Sequence, residues 1–223
     1  MSARRALRAG GLWFDGKGSY ASVKSEPYDE LDPAAVTLCA WVYLPRYPLT
    51  LYGIIVGRHN RFPYAIRADA DGYFVVGFTY AGGTYTVEPA NYTIPLNRWV
   101  FLCASYDGET LRAYANGELV KSWVIGKPLQ RGTNFDVLIG SNATDWHTLG
   151  IIADVRVYNR ALTADEIKAI YERGELIRDG LVLHLDFTEG KGSVAYDKSG
   201  CGNHATIYGA RWVVKKALRV LQR

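Results

Sequence analysis

The chain has 223 residues, a formal net charge of +4, 48% hydrophobic residues, 16 Tyr and 6 Trp. This length suits one large domain, or one domain with an appendage, and the aromatic content favours β-strands over helices. We expect no nucleic-acid partner, because the charge is small and the basic residues at the two ends lack interleaved aromatic residues. We also expect no membrane span, since no stretch approaches the roughly 20 apolar residues that a spanning helix needs.

Residues 1–10 form a basic N-terminal arm that lacks the apolar run of a secretory signal peptide. Two interpretations stay open: the chain is the mature protein as given, or it leaves the cell by another route, such as within a virion released on lysis. A single Met and two Gln (Gln130 and Gln222) are typical of a thermophilic source.

Strand and turn signals recur roughly every 8–12 residues between Leu12 and Tyr158, which is the spacing of a β-sandwich. Asn116 and Gly117 separate two apolar runs, and this dipeptide tolerates the positive φ angles of a type I′ hairpin turn. One helix is predicted after these strands. It begins with a capping box formed by Thr163 and Glu166, and Gly174 is a plausible left-handed end.

Three cysteines do not have the spacing of a metal site. Cys39 and Cys103 each lie in an apolar strand, and two interpretations stay open for them. The favoured one is a pair of small buried thiols, because a disulfide would need an oxidising compartment or a thermophilic cytoplasm. Cys201 lies in a Gly-rich turn and is expected to be exposed.

Four segments are similar to motifs of laminin-G-like domains. Residues 11–16 resemble the opening "A-L-x-F-D-G" strand, and residues 37–42 resemble "F-T-I-S-A-W-V". Residues 99–120 are similar to the "W-H-H-V-A" strand with its "Y-D-G" and "D-G" turns, and residues 151–171 to "I-D-E-V-R-I-Y-N-R-A-L-S-x-x-E-I". The resemblance implies an all-β, concanavalin A-like jelly-roll sandwich over residues 11–174, with one short helix.

The end of the chain resembles the beginning of the same domain. After a connection at residues 175–180, residues 181–212 are similar to the segment that normally precedes the "A-L-x-F-D-G" strand. Residues 217–220 then resemble the same opening strand that residues 11–14 already match. The segment 181–223 is therefore predicted to be a C-terminal hairpin that completes its own sandwich or a neighbouring one.

Three arrangements of this hairpin stay open. It can fold back as a circular permutation, which is easy when the chain ends lie close together. It can instead complete the sandwich of a neighbour by strand donation, which in a head-to-tail arrangement builds filaments. The chain can also be part of a longer tandem array. The residues predicted to mediate assembly are Leu181, Leu183, Leu185, Phe187, Ala217, Leu218 and Val220.

The resemblance also implies a possible structural calcium site. Family carboxylates are replaced here by Ser19 and Ala153, and Asp15, Asp154 and Asp197 remain as candidate ligands. Because Ca²⁺ takes about 6–8 oxygen ligands, these losses weaken the prediction, and turn capping is the favoured alternative role.

No catalytic pattern is evident, and we expect the protein not to be an enzyme. Glycoside hydrolysis needs two suitably spaced carboxylates. The "E-x-D-x-E" strand that supplies them in the glucanases of this superfamily is absent here. His59, His147, His184 and His204 form no ligand pair, and His184 is expected to be an ordinary strand residue.

Glycan binding is more plausible than catalysis. Residues 142–147 form a polar loop with one Trp, and residues 43–52 form an aromatic loop. The alternative roles are a hydrophobic lid for Trp146 and subunit contacts for the aromatic loop. Asn91 and Asn142 lie in glycosylation sequons, which matter only at a surface. The candidate glycan-binding residues are Asn142, Asp145, Trp146, His147, Tyr47 and Tyr52.

The sequence therefore predicts a non-catalytic, self-assembling structural subunit at an extracellular or virion surface, with a lectin-like fold and a glycan-binding capacity. The expected partners are further copies of the chain and surface glycans. A lectin module that works as a monomer is the alternative, and a glycoside hydrolase is the third hypothesis.

Overall fold

The computed structural model describes residues 10–26, 29–58 and 63–213. The basic residues of the arm, His59 and the predicted assembly residues Ala217, Leu218 and Val220 lie outside these ranges. Within these ranges, two antiparallel eight-stranded sheets pack face to face, and one short helix lies against the outside. This confirms the predicted all-β sandwich.

The first sheet has the order β10-β9-β8-β3-β12-β1-β16, and β13 also pairs with β12. Its strands are β1 (Gly11–Asp15), β3 (Val36–Tyr43), β8 (Trp99–Tyr106), β9 (Thr110–Ala115), β10 (Glu118–Val124), β12 (Leu149–Tyr158), β13 (Leu181–Leu185) and β16 (Arg211–Val213).

The second sheet has the order β14-β15-β2-β11-β4-β5-β6-β7. Its strands are β2 (Tyr20–Val23), β4 (Tyr52–Arg58), β5 (Tyr64–Asp69), β6 (Tyr73–Tyr80), β7 (Thr84–Thr93), β11 (Val137–Ile139), β14 (Val194–Ala195) and β15 (Ala205–Tyr208).

Alternation of side chains decides which residues enter the core between the sheets. In β15, Ala205 and Ile207 are buried, whereas Thr206 and Tyr208 are exposed. Successive strand residues point to opposite faces, so Tyr208 must stand on the outer face of the second sheet. This outer face becomes important for the candidate site.

The C-terminal hairpin pairs with strands of its own chain. In β13, Leu183 lies opposite Val157 of β12, and in β15, Ile207 lies opposite Ala21 of β2. Trp212 of β16 lies opposite Leu12, so β1 keeps its place between β12 and β16. Residues 181–213 thus take the self-completed arrangement, and strand donation to a neighbour stays a prediction.

The predicted assembly residues in this segment are part of the chain's own hydrophobic core. Leu183, Leu185 and Phe187 are almost completely buried, and Leu181 packs on the outer side of the first sheet. Exchange between copies would require all of these contacts to be broken and formed again.

A buried ionic cluster fastens β13 to β12. Arg156 donates two hydrogen bonds to the Asp154 carboxylate, both of 2.9 Å, and a third of 2.7 Å to the Glu175 carbonyl. The His184 Nε2 atom lies 2.9 Å from Asp154 Oδ1. Burial alone would raise the pKa of Asp154, but the Arg156 charge and the His184 hydrogen bond outweigh it and hold that pKa well below its ordinary value.

The helix α1 (Ala164–Arg173) has the predicted caps. The Thr163 hydroxyl accepts from the Glu166 amide at 3.2 Å, and the Glu166 carboxylate accepts from the Thr163 amide at 2.8 Å. Gly174 has a φ of 63° and ends the helix. Tyr171 stacks on Trp41 with ring centroids 5.6 Å apart, which fixes the helix to the outer face of the first sheet.

The two strand cysteines form a disulfide, so the favoured interpretation of two buried thiols was wrong. Cys39 of β3 and Cys103 of β8 are direct cross-strand partners, with Cα atoms 4.2 Å apart. The register that pairs these strands brings the two sulfur atoms together on one face. Neither strand alone reveals this register. Cys201 is exposed and free, as expected.

We predict that Asp154→Asn destabilises the fold by about 3–5 kcal/mol at neutral pH, because it leaves the Arg156 charge buried without its carboxylate partner. Urea denaturation would measure the loss. Asp179→Asn is the control, since Asp179 forms an exposed pair with Arg160 worth at most about 1 kcal/mol. Equal losses for both variants would contradict the role of the cluster.

The stability that Asp154→Asn loses relative to wild type should depend on pH. A carboxyl group whose folded-state pKa is depressed stabilises fully above its unfolded pKa of about 3.9, and this stabilisation is lost as the pH falls toward the folded value. The difference between wild type and Asp154→Asn should therefore shrink below about pH 4. A constant difference down to acid pH would contradict the assignment.

We predict that the double variant Cys39→Ala, Cys103→Ala lowers the free energy of unfolding by up to about 4 kcal/mol. The reason is that the disulfide closes a loop of 64 residues in the unfolded chain and so restricts it. Thermal unfolding with and without a reductant measures this loss. Cys201→Ala is the matched control and should behave like wild type. Non-reducing peptide mapping that finds no 39–103 link would refute the disulfide.

Candidate functional site

A groove of about 430 Å³ crosses the outer face of the second sheet over β15, β2 and β11. At one end, Tyr208 of β15 and Tyr20 of β2 are cross-strand partners whose rings stack with centroids 4.6 Å apart. Tyr208 is 47% exposed, so a broad aromatic surface faces solvent. The sequence separation of these two residues explains why sequence reasoning missed them.

Polar groups line the opposite side of the groove. The Ser22 hydroxyl donates to Asp136 Oδ2 at 2.7 Å, and the Lys24 ammonium lies 3.0 Å from the same oxygen. The hydrogen bond to Asp136 raises the pKa of Lys24. The groove thus presents a hydroxyl, an ammonium and a carboxylate within reach of one bound molecule.

A row of paired outer-face residues runs from the groove toward β5, and all of them except Leu138 have small side chains. The register places Ser22 opposite Leu138, Leu138 opposite Gly57, and Gly57 opposite Ala65, all in one row across the strands. A Cβ atom on Gly57 would lie 2.6 Å from the Cβ atom of Ala65. A larger side chain at position 57 would therefore require the neighbouring strand to move.

The loop between β11 and β12 borders this row, and Asn142 shapes it. The Asn142 side-chain oxygen accepts hydrogen bonds from the amides of Thr144, Asp145 and Trp146 at 2.9 to 3.1 Å. Its amide nitrogen donates to Asp145 at 2.9 Å, which lowers the pKa of that carboxyl group. The Thr148 hydroxyl ties the loop to β4 by donating to the Ile54 carbonyl at 2.6 Å.

An aromatic cluster lies where this loop meets the sheet. Half-buried Trp146 packs against the outer-face residues Ile54 and Ala65, and its ring meets the Tyr52 ring in a T-shaped arrangement with centroids 5.0 Å apart. The guanidinium of buried Arg67 lies 5.3 Å from the Trp146 ring and 5.2 Å from the Tyr52 ring. Cation–π attraction at these distances holds Trp146 on the sheet.

Arg67 was not predicted as a site residue. Its guanidinium lies 5.5 Å from the Tyr85 ring and donates to the Tyr85 hydroxyl. Burial lowers the pKa of Arg67, and Tyr85 opposes that shift. The available signal was the alternation in β5, which places Ala65 and Arg67 on the face opposite to the core residues Tyr64 and Ile66.

The structure brings only part of the predicted glycan-binding set together. Trp146 and Tyr52 are in contact, whereas Asn142 and Asp145 bond within their own loop. His147 Nδ1 lies 2.8 Å from the Ser141 hydroxyl. Tyr47 lies apart from this cluster: its hydroxyl donates to the Ile94 carbonyl at 3.0 Å and its ring covers Gly72.

The candidate calcium ligands all have protein partners. Asp15 accepts from the amides of residues 17–19 and from the Ser19 hydroxyl, which is a turn cap. Asp154 belongs to the ionic cluster, and Asp197 accepts from the His184 amide and from its own turn. Within the described ranges, no group of three or more His, Cys, Asp or Glu side chains is arranged to hold a metal ion. The donor set therefore does not fit Ca²⁺.

Comparison with known structures finds the same fold in several binding domains. A protein from Bacteroides ovatus with a provisional carbohydrate-binding assignment has a TM-score of 0.72 at 18% identity, over 92% of this chain and 60% of the other. The chain thus spans less than two thirds of that protein. A heptameric SAP-like pentraxin from Limulus polyphemus has a TM-score of 0.63 at 16% identity, over 95% and 97% of the two chains.

A third similar structure is domain 4 of AbnA, a GH43 extracellular arabinanase from Geobacillus stearothermophilus, in complex with arabinotriose. Its TM-score is 0.56 at 19% identity, over 72% of this chain and 76% of the other. At such low identities these likenesses show the fold alone. No curated protein matches the sequence.

In the described part of the chain, no helix is both long and apolar enough to cross a membrane. A laminin-G family model, described as the concanavalin A-like lectin/glucanases superfamily, matches residues 15–168. This match covers more than half of the chain and includes most strands of both sheets. The chain therefore belongs to the concanavalin A-like lectin/glucanases superfamily.

Proposed function

We propose that this protein is a non-catalytic carbohydrate-binding module whose ligand lies in the groove on the outer face of the second sheet. The observation that carries the proposal is the stacked pair of Tyr20 and Tyr208 beside the hydrogen-bonding set of Ser22, Lys24 and Asp136. Small-ligand sites typically combine an apolar surface with a few well-placed polar groups.

This combination suits the chemistry of a sugar. A sugar ring has an apolar face of C–H groups, which can lie against an exposed tyrosine ring, and a rim of hydroxyl groups. The Tyr208 ring offers such a surface, since tyrosine provides a large apolar face with a polar end. The Asp136 carboxylate and the Lys24 ammonium can accept from and donate to sugar hydroxyls.

The groove argues for binding rather than hydrolysis. Among the described residues that line it, Asp136 provides the only carboxylate. Glycoside hydrolysis commonly needs two carboxyl groups about 5–9.5 Å apart.

The similar structures and the disulfide support the same proposal. The arabinanase domain is described in complex with a trisaccharide, and the Bacteroides ovatus protein has a provisional carbohydrate-binding assignment. The Cys39–Cys103 bond suits an oxidising extracellular environment, where such binding modules meet polysaccharides. Location on a virion and a thermophilic source stay predictions.

We predict that Tyr208→Ala weakens polysaccharide binding at least tenfold while thermal stability stays near that of wild type, because an exposed stacking ring is removed. Affinity electrophoresis in gels that contain a panel of polysaccharides measures this change. Tyr196→Ala is the matched control, since Tyr196 is 51% exposed and lies outside the groove, against His204.

Two results would contradict the proposal. One is that wild-type protein binds no polysaccharide of a broad panel. The other is that Tyr208→Ala and Tyr196→Ala bind as wild type does, which would place the carbohydrate site elsewhere on the molecule.

The second candidate function is a self-assembling surface or virion filament subunit. The hairpin of residues 181–213 is joined to the sandwich by one short connection, and it pairs with β12, β2 and β1. The same pairings could form between copies, which is how domain-swapped assemblies arise. The repeated strand motif at residues 217–220 adds to this possibility.

For assembly, the prediction is a species larger than the 24.8 kDa chain that persists on dilution. Size-exclusion chromatography with light scattering, followed by negative-stain electron microscopy, measures it. A uniform monomer at high protein concentration would contradict self-assembly and leave the carbohydrate-binding module as the function.

A further inference from the structure

We propose that the groove selects a neutral, linear glycan segment of several sugar residues, laid across the strands from Tyr208 toward Trp146. This inference rests on the proposed carbohydrate binding and adds the class of ligand. It follows from two features of the described residues, namely the charge of the groove and the distance between its aromatic surfaces.

The charge of the groove favours an uncharged ligand. Lys24 and Asp136 are the charged side chains among the described lining residues, and they form an ion pair of 3.0 Å. Arg67 adds no accessible positive charge, because it is buried beneath aromatic rings. An acidic polysaccharide would lose water from its carboxylates here without gaining a net positive partner.

The strand order sets the separation of the aromatic surfaces. Tyr208 lies on β15 and Trp146 packs over β4 and β5, so β2 and β11 lie between them. Three strand spacings of about 4.8 Å place β15 and β4 roughly 14 Å apart. A single terminal sugar cannot reach both surfaces, whereas a chain of several sugar residues can.

A row of outer-face residues connects these two surfaces across the strands. The row of Ser22, Leu138, Gly57 and Ala65 contains mostly small side chains, and the loop that carries Ala143 borders the groove. The Lys24–Asp136 pair stands on the other side of this row. An extended glycan placed along the row would have its apolar faces toward the aromatic residues and its hydroxyls toward the ion pair.

Calorimetric titration tests this inference in two steps. The first compares neutral linear polysaccharides (β-glucan, xylan, mannan, arabinan) with acidic ones (polygalacturonate, alginate). The second follows an oligosaccharide series of the best ligand, from monosaccharide to hexasaccharide. We expect neutral chains to bind at least tenfold more tightly than acidic ones, and affinity to rise at least tenfold between disaccharide and hexasaccharide.

Variants assign these effects to residues. Trp146→Ala should lower the affinity for the hexasaccharide and leave the disaccharide, bound at Tyr208, unaffected. Since this change could disturb the loop, Asp136→Asn provides a second variant, which should admit acidic chains because the groove then becomes positively charged. Tyr196→Ala is again the unaffected control, and near-ultraviolet circular dichroism checks the fold of each variant.

The outcomes separate this inference from the proposed function. Tight binding of acidic chains by wild type, or equal affinities for monosaccharide and hexasaccharide, would overturn the ligand class while carbohydrate binding stands. Absence of binding to every carbohydrate would overturn both.

Discussion

The arrangement of this protein depends on the pairing of its C-terminal hairpin with the sandwich. The Asp154–Arg156–His184 cluster fastens β13 to β12 inside the fold, where an unpaired charge would be costly. The same hairpin then supplies β15 and β16 to the two sheets. Without it, β2 and β1 would expose open strand edges, which proteins usually cover because they invite aggregation.

The candidate site depends on the same pairing. Tyr20 comes from the beginning of the chain and Tyr208 from its end, and only the β2–β15 register stacks them. A ligand that binds on this platform would favour the closed sandwich, since it binds the folded arrangement and not the open one. The proposed carbohydrate binding would therefore be linked to hairpin docking, whether the hairpin belongs to the same chain or to a neighbour.

Sequence patterns predicted the local features of the fold, including the capped helix, the strand run and the family. They also brought Trp146 and Tyr52 into one hypothesis, and these rings do meet. The disulfide and the Tyr20–Tyr208 stack could not be predicted, because each requires a cross-strand register between residues far apart in sequence. The role of the polar candidates stays a prediction: Asn142 and Asp145 form hydrogen bonds within their own loop, which the sequence alone did not indicate.

The most direct test is a crystal structure of the protein with a neutral hexasaccharide that binds it. We expect sugar rings against Tyr208, hydroxyl contacts to Lys24 and Asp136, and the chain directed toward Trp146. We also expect Tyr20 and Tyr208 of each site to come from one copy. A sugar bound away from this groove would contradict the proposed site, and a Tyr208 supplied by another copy would contradict the self-completed sandwich.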